Sequence, residues 1–276
     1  MIRLSAFADE ISPDLDEQIA MLQGENLRHL DLRGVWNTNV LDLTDQQVRV
    51  ITAALNDGGI RVAAIGSPIG KVPVDVPLEQ QIERLDRAIT LATVFETPLI
   101  RIFSYYPPAT DPDAEPVSYR DAVMANLRAL TDRAAEAGVT LLHENDSGLY
   151  GDTIARNVDV LQTIRDPHLA ALLDPANYLL SGDTSYPDGY QAVRSRLGYV
   201  HVKDAKDGAV VAAGEGESRF PEMLRQMQAD GYDGVFALEP HLKSAGPLRG
   251  FSGPDLFRHA SQAFQRLLQA EGWAYQ

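Results

Sequence analysis

The 276 residues are 45% hydrophobic and 23% charged, a composition with ample core-forming material that excludes a disordered chain. The formal net charge of −15 argues against nucleic acid or anionic lipid as partners, and the absence of cysteine excludes disulfides and thiolate metal sites. The opening MIRLSAFADE does not resemble a secretory signal, and no run approaches the ~20 apolar residues of a membrane span, so the expectation is a cytoplasmic protein without membrane contacts.

Short apolar runs, often β-branched, recur along the chain and alternate with segments of helical periodicity. Arg3–Phe7 and His29–Leu32 are the first two expected strands. Thr44-Asp45 then opens a helix that Asn56-Asp57-Gly58-Gly59 closes. Arg61–Ile65 follows as a strand, and Leu78, Ile82, Leu85, Ile89 and Ala92 recur at helical spacing behind it. After a fourth strand, Leu99–Phe103, the region Tyr105 to Tyr119 carries four prolines and reads as a long loop. Val123, Leu127, Leu130 and Ala134 mark the next helix, which Ala137-Gly138 ends. Thr140–His143, Ala170–Leu173, Tyr199–Val202 and Val235–Leu238 are the remaining strands. Asp230-Gly231 stops the helix before the last of them, and Pro254 begins a final helix through Phe257, Ala260, Phe264 and Leu267. Eight strand–helix units without a linker or a repeat predict an α/β fold, a single (β/α)8 TIM barrel over residues 1–276. An open doubly wound sheet is the alternative, but the first strand lacks a glycine-rich phosphate loop.

In such a barrel the carboxyl ends of the strands form the active face. Strand five reads TLLHEND, strand six AALLDPAN, strand seven YVHVKDA and strand eight VFALEPH. Each therefore ends on a ligand-type residue: Glu144, Asp174, His201 and Glu239. One acid at a strand end is more often a helix cap, but four successive strands converge on one pore. Residues two apart share a face, so Lys203 lies above His201, and His241 above Glu239. Three carboxylates and an imidazole suit one divalent ion, Mn2+ first, with Mg2+ or Co2+ also compatible. Zinc is less natural with so many oxygens and no cysteine. A cation held by a sugar hydroxyl and an adjacent carbonyl stabilises the enediolate formed when the neighbouring C–H proton leaves. A flanking carboxylate can take that proton and return it elsewhere.

The ordered motifs SAFADEIS, IGSPIGK, IRIFS, HEN, YGDT, DPAN, HVKDA, GEGE, LEPH and FSGP cover nearly the whole chain. Together they resemble the sugar phosphate isomerase/epimerase superfamily of xylose isomerase-like barrels, including its ketose 3-epimerases and inosose dehydratases. The resemblance implies that Glu144, Asp174, His201 and Glu239 are metal ligands, and that Glu144 and Glu239 exchange the substrate proton. It implies a small sugar or keto-sugar substrate and extends weakly to homo-oligomeric assembly. One position departs from the pattern: epimerases commonly have histidine three residues after the metal-binding aspartate, whereas this chain has Asn177. An amide binds a hydroxyl but carries no proton at neutral pH. Lys203-Asp204 resembles the inosose dehydratases as much as the isomerases.

Arg33, Lys71 and Arg101 could bind hydroxyls or a substrate anion, or pair with barrel carboxylates. Trp36 could stack on a sugar, although burial against loops is its commoner role. Glu215 could join the site or turn its loop, and His29, His168 and His259 read as structural or exposed. Isomerisation or epimerisation leads. A metal-dependent lyase, dehydrating a keto-inositol or cleaving a 3-keto-glycoside, begins with the same proton abstraction, with Lys203 or His241 as acid. DNA repair of the abasic-site type is disfavoured by the charge and by Asn177, and a non-catalytic sugar binder by the complete ligand set.

Overall fold

The computed structural model describes residues 1–243 and 250–276. Eight strands form one parallel sheet: β1 (Arg3–Ala6), β2 (His29–Leu32), β3 (Arg61–Ile65), β4 (Leu99–Ile102), β5 (Thr140–Glu144), β6 (Leu169–Leu173), β7 (Leu197–Val202) and β8 (Val235–Leu238). Their hydrogen-bonded order is β1-β8-β7-β6-β5-β4-β3-β2. β1 and β2, at the two ends of that order, pack against each other, so the sheet curls into a nearly closed barrel. A buried side-chain network spans this seam. Ser5 Oγ and Tyr199 Oη both donate to Asp31 Oδ1, at 2.5 and 2.6 Å.

Helices fill the connections: α1 (Leu15–Gly24), α2 (Asp45–Gly58), α3 (Leu78–Val94), α4 (Pro116–Ala137), α5 (Ile154–Thr163), α6 (Pro175–Leu180), α7 (Tyr190–Val193), α8 (Phe220–Ala229) and α9 (Pro254–Ala270). α2 starts with a capping box, in which Thr44 and Gln47 satisfy each other's free amides. α4 begins at Pro116, inside the region expected to be loop as far as Tyr119. Proline suits a first helical turn because the amide it lacks would have had no partner there. Among the described residues no helix is long and apolar enough to cross a membrane.

The strand residues sort by alternation into two cores. Leu141, Val200, Phe236 and Leu238 join the large layer between strands and helices. Leu142, Leu172, Tyr199 and Ala237 face inward and pack with Phe7. Two residues further along the same inward rows stand Glu144, Asp174, His201 and Glu239. The apolar plug thus ends where the polar residues begin, at the carboxyl end of the barrel.

Around the mouth, the segments after β3 and β4 are laced by backbone hydrogen bonds. Phe103 N donates to Ile69 O, Tyr105 N to Gly70 O, and Tyr106 N to Val72 O. Gly70 has φ +84, and a Cβ there would stand 2.1 Å from the Phe103 carbonyl oxygen. Only glycine fits this approach. We expect Gly70→Ala to cost about 2 kcal/mol or more, read as a lower urea midpoint. Unchanged stability would mean that the two loops are not locked together as described.

Candidate metal centre

β5 ends on Glu144, whose neighbour Asn145 ties it to the next strand end. Asn145 Nδ2 donates to Asp174 O, and Asp174 N donates back to Asn145 Oδ1, both at 2.9 Å. Asp174 caps α6: its Oδ1 accepts from Asn177 N at 3.0 Å, leaving Oδ2 directed elsewhere. Asn177 Nδ2 donates to Asn145 O at 2.9 Å and to Glu144 Oε1 at 3.4 Å. The amide therefore lies against Glu144 and helps to orient it.

All four strand-end residues are buried. Each offers one ligand atom, and these atoms lie within 4.8 Å of one another, so the four could hold a metal ion. His201 Nδ1 is 3.2 Å from Glu144 Oε1, 3.1 Å from Glu239 Oε2 and 3.8 Å from Asp174 Oδ2. Asp174 Oδ2 and Glu239 Oε2 are buried without a hydrogen-bond partner. Lys203 Nζ is 2.5 Å from Asp174 Oδ2 and 3.6 Å from Glu239 Oε2, close in distance but not aligned as a hydrogen bond. Converging carboxylate oxygens with unspent acceptor capacity fit a hard divalent cation.

The electrostatics follow from the crowding. Burial is the largest influence on Glu144 and opposes its ionisation, as does Glu239, but the charge and hydrogen bond of His201 together with the charge of Arg101 displace it downward on balance. Burial also acts against ionisation of Glu239, but His201, His241 and Lys203 hold it well below the usual carboxylate range. Burial alone would lower His201, but Glu144 and Glu239 raise it well above the ordinary imidazole value. Lys203 is raised in spite of burial, chiefly by Asp174.

Two arginines complete the group. Arg101 Nη1 bridges Glu144 Oε2 and Glu239 Oε1, at 3.2 and 3.1 Å. Arg33 Nε donates to Asp9 Oδ2 at 2.7 Å, and its Nη1 to Glu239 Oε1 at 3.1 Å. Both guanidinium groups sit over the Phe7 ring, 4.8 and 4.9 Å from its centroid, and His201 meets that ring edge-on at 5.1 Å. His241 Nε2 is 3.2 Å from Glu10 Oε1 and 3.5 Å from Glu239 Oε1. Lys71 Nζ pairs with Asp146 Oδ2 at 2.6 Å on the rim.

Arg33, Lys71, Arg101, Lys203 and His241 thus line the same opening as Glu144 and Glu239, together with Asn39, Pro68 and Asp146. Two expected residues stand elsewhere. Glu215 lines neither this opening nor the space above it; its half-exposed carboxylate meets His259 Nε2 at 2.8 Å. Its loop is turned by Asp204, which accepts from the amides of Ala205, Gly214, Gly216 and Ser218. Trp36 is not buried against loops. It is 36% exposed at the tip of a hairpin (Gly34–Val35 with Thr38–Asn39) with φ +54, and does not line the opening. His29 is buried and His168 partly so, while His259 is exposed. Sequence reasoning passed over Phe7, Asp9, Glu10 and Asn145, and noted Asp204 without its loop-anchoring role. The acids of FADE, directly after the first strand, were a visible signal for Asp9 and Glu10.

A barrel with a buried group of potential metal ligands at the strand ends defines a class, and the family follows from comparison. The chain belongs to the xylose isomerase-like TIM barrel family, whose model matches residues 25–267. Among curated proteins none matches the sequence significantly. The fold is similar to the probable 3-DHS dehydratase AsbF of Bacillus anthracis, with 16% identity, TM-score 0.76 and coverage of 96% of this chain and 99% of that one. It is equally similar to D-psicose 3-epimerase of Clostridium cellulolyticum H10, crystallised with D-tagatose: 13% identity, TM-score 0.76, and 99% and 100% coverage. A xylose isomerase-like TIM barrel protein of Mycobacterium smegmatis, in complex with magnesium, matches with 18% identity, TM-score 0.73, and 98% and 97% coverage.

Metal binding should register as stabilisation. Mn2+ or Mg2+ at about a hundredfold excess over Kd should add about 2.7 kcal/mol, or about 5–10 °C in calorimetry for a chain of this size. EDTA should reverse the rise, and Asp174→Ala and His201→Ala should abolish it. An equal rise in both variants would place the ion elsewhere.

Proposed function

We propose that the protein is a divalent-metal-dependent isomerase or epimerase acting on a ketose, aldose or keto-cyclitol by proton abstraction beside a carbonyl. The observation that carries this reading is the pair Glu144 and Glu239, approaching His201 from two sides and bridged by Arg101. Two ionised carboxylates facing one small volume suit removal of a proton on one side and its return on the other.

Glu144, Asp174, His201 and Glu239 would hold the ion. Mn2+ suits this oxygen-rich set best, and Mg2+ and Co2+ are compatible. Bound there, it supplies Lewis acidity toward the substrate carbonyl. Glu144 or Glu239 takes the α proton, and the C–H electron pair moves toward the carbonyl oxygen to give an enediolate. Returning the proton to the former carbonyl carbon, while the proton of the neighbouring hydroxyl passes to the former carbonyl oxygen, isomerises the sugar; returning it to the original carbon from the opposite face epimerises it. Arg101 donates to both bases and so ties the two carboxylates to one anchor. Asn177 Nδ2 donates to Glu144 and orients it, without giving up its proton in the reaction.

A lyase reading is favoured by one observation, the buried Lys203 ammonium beside Asp174 and Glu239. In that case the electron pair of the broken C–H bond expels a β-oxygen, and Lys203 protonates the leaving oxygen. The dehydratase among the structural neighbours accords with this second outcome.

Incubation with candidate ketoses and keto-cyclitols in heavy water, followed by NMR, tests the shared first step. Deuterium should enter at the carbon next to the carbonyl, and chelator should stop it. Glu144→Gln and Glu239→Gln should lower turnover by about 10²-fold or more while substrate binding changes little. A glutamine variant with near-normal turnover would remove that glutamate from the proton transfer. Release of water or an aglycone would select the lyase outcome.

A further inference from the structure

Two chambers adjoin at the mouth of the barrel. The inner one, about 110 Å³, reaches Glu144, Glu239, Arg33 and Arg101. The outer one, about 570 Å³, reaches Tyr106, Ser147, Asn177, Leu180 and Val210. Pro68, Lys71, Asp146, Lys203 and His241 border both and form a waist between them. Small-molecule sites commonly measure about 300–1,000 Å³, so the inner chamber is too small to enclose a whole ligand, whereas the outer one is large enough for a further ring.

The outer chamber is built rather than incidental. Three apolar side chains, each at least partly exposed, reach it from three different strand-to-helix connections, each on a backbone held by hydrogen bonds. Tyr106 is paired through its backbone with Val72 and Val74. Val210 stands opposite Ala205 in the hairpin of Asp204–Lys206 with Ala209–Val211, which the buried Asp204 carboxylate anchors. Leu180, 40% exposed, ends α6. Asp174, Asn177 and Leu180 are three residues apart, so one side of this short helix runs from the cation-binding group, past Glu144, to the outer chamber. Ser147, Asn177 and Lys203 add polar groups between the apolar ones. A pyranose ring, with apolar C–H faces and hydroxyl edges, matches such a mixed lining. The Lys71–Asp146 pair at the waist is partly exposed, and pairs of that kind are weak enough to part for a ligand.

We propose that the outer chamber, bounded by Tyr106, Leu180 and Val210, is a subsite for a second sugar ring attached to the ring that reacts in the inner chamber. The preferred substrate is then disaccharide-sized rather than a free monosaccharide. This rests on the proposed proton abstraction for what happens at Glu144 and Glu239.

The test is calorimetric titration of the full chain, supplied with Mg2+, with D-glucose and D-fructose and then with maltulose, turanose and cellobiose. At least one disaccharide should bind about tenfold more tightly than either parent monosaccharide. Leu180→Asp and Tyr106→Ala should each bring that ratio toward one without a change in melting temperature. Absence of a disaccharide advantage across the panel, or an advantage that survives both substitutions, overturns the subsite. Deuterium exchange on the same sugars separates the two claims. Exchange without a disaccharide advantage discards the subsite and leaves the chemistry standing. A disaccharide advantage that Leu180→Asp removes, with no exchange on any sugar, supports the subsite and tells against the chemistry.

Discussion

Three carboxylates, Glu144, Asp174 and Glu239, are buried together at the end of the barrel, and much of the surrounding structure answers to that fact. Like charges this close and out of water repel one another, and positive charge set among them offsets that repulsion. His201 stands in their midst, Arg101 bridges the two glutamates, Arg33 holds Glu239 from the side, and Lys203 covers Asp174. The arginines need support of their own, which Phe7 supplies from below as an aromatic face. Asp9 extends the network into the first loop, and Glu10 does so through His241. A divalent cation held by these four residues would take over part of that positive charge, in place of the Lys203 ammonium at Asp174 Oδ2.

The barrel makes the convergence possible. Alternation turns every second residue of a strand inward, and the tilt of the strands brings inward rows from neighbouring strands to one level. Leu142, Leu172, Tyr199 and Ala237 pack the interior, and the next inward position on each row is polar. Asp174 serves two ends at once. One oxygen caps α6, and the other faces the centre, so the helix start and the cluster of strand-end carboxylates hold each other in place.

Much of this was legible in the sequence because the strands obey a local rule. Each expected strand exists: β2, β3 and β8 have the expected bounds, and in the others one end differs by one or two residues; β5 runs through Glu144, and β7 begins at Leu197 rather than Tyr199. The bulge between Ala171 and Leu172, which faces Leu197 and Tyr199 across the ladder, is a tertiary effect that periodicity does not carry. Side-chain partnerships were less accessible. Arg33 and Arg101 were expected near the mouth, but whether they meet substrate or carboxylate depends on contacts more than a hundred residues away in the chain, as between Arg101 and Glu239. Glu215 had two readings, site residue or part of a turn, and its loop accords with the second: the flanking glycines donate to Asp204 and its carboxylate meets His259. Trp36 was misleading because a two-residue hairpin lifts it into solvent.

The central claim is that Glu144, Asp174, His201 and Glu239 together hold one divalent ion between the two proposed bases. Anomalous diffraction from crystals soaked in Mn2+, recorded at the manganese edge, addresses it without reference to any substrate. The account predicts one strong peak enclosed by these four side chains, with the Lys203 ammonium displaced from Asp174 Oδ2. A peak bounded instead by Glu10, Glu239 and His241, or no ordered peak after soaking, would contradict it.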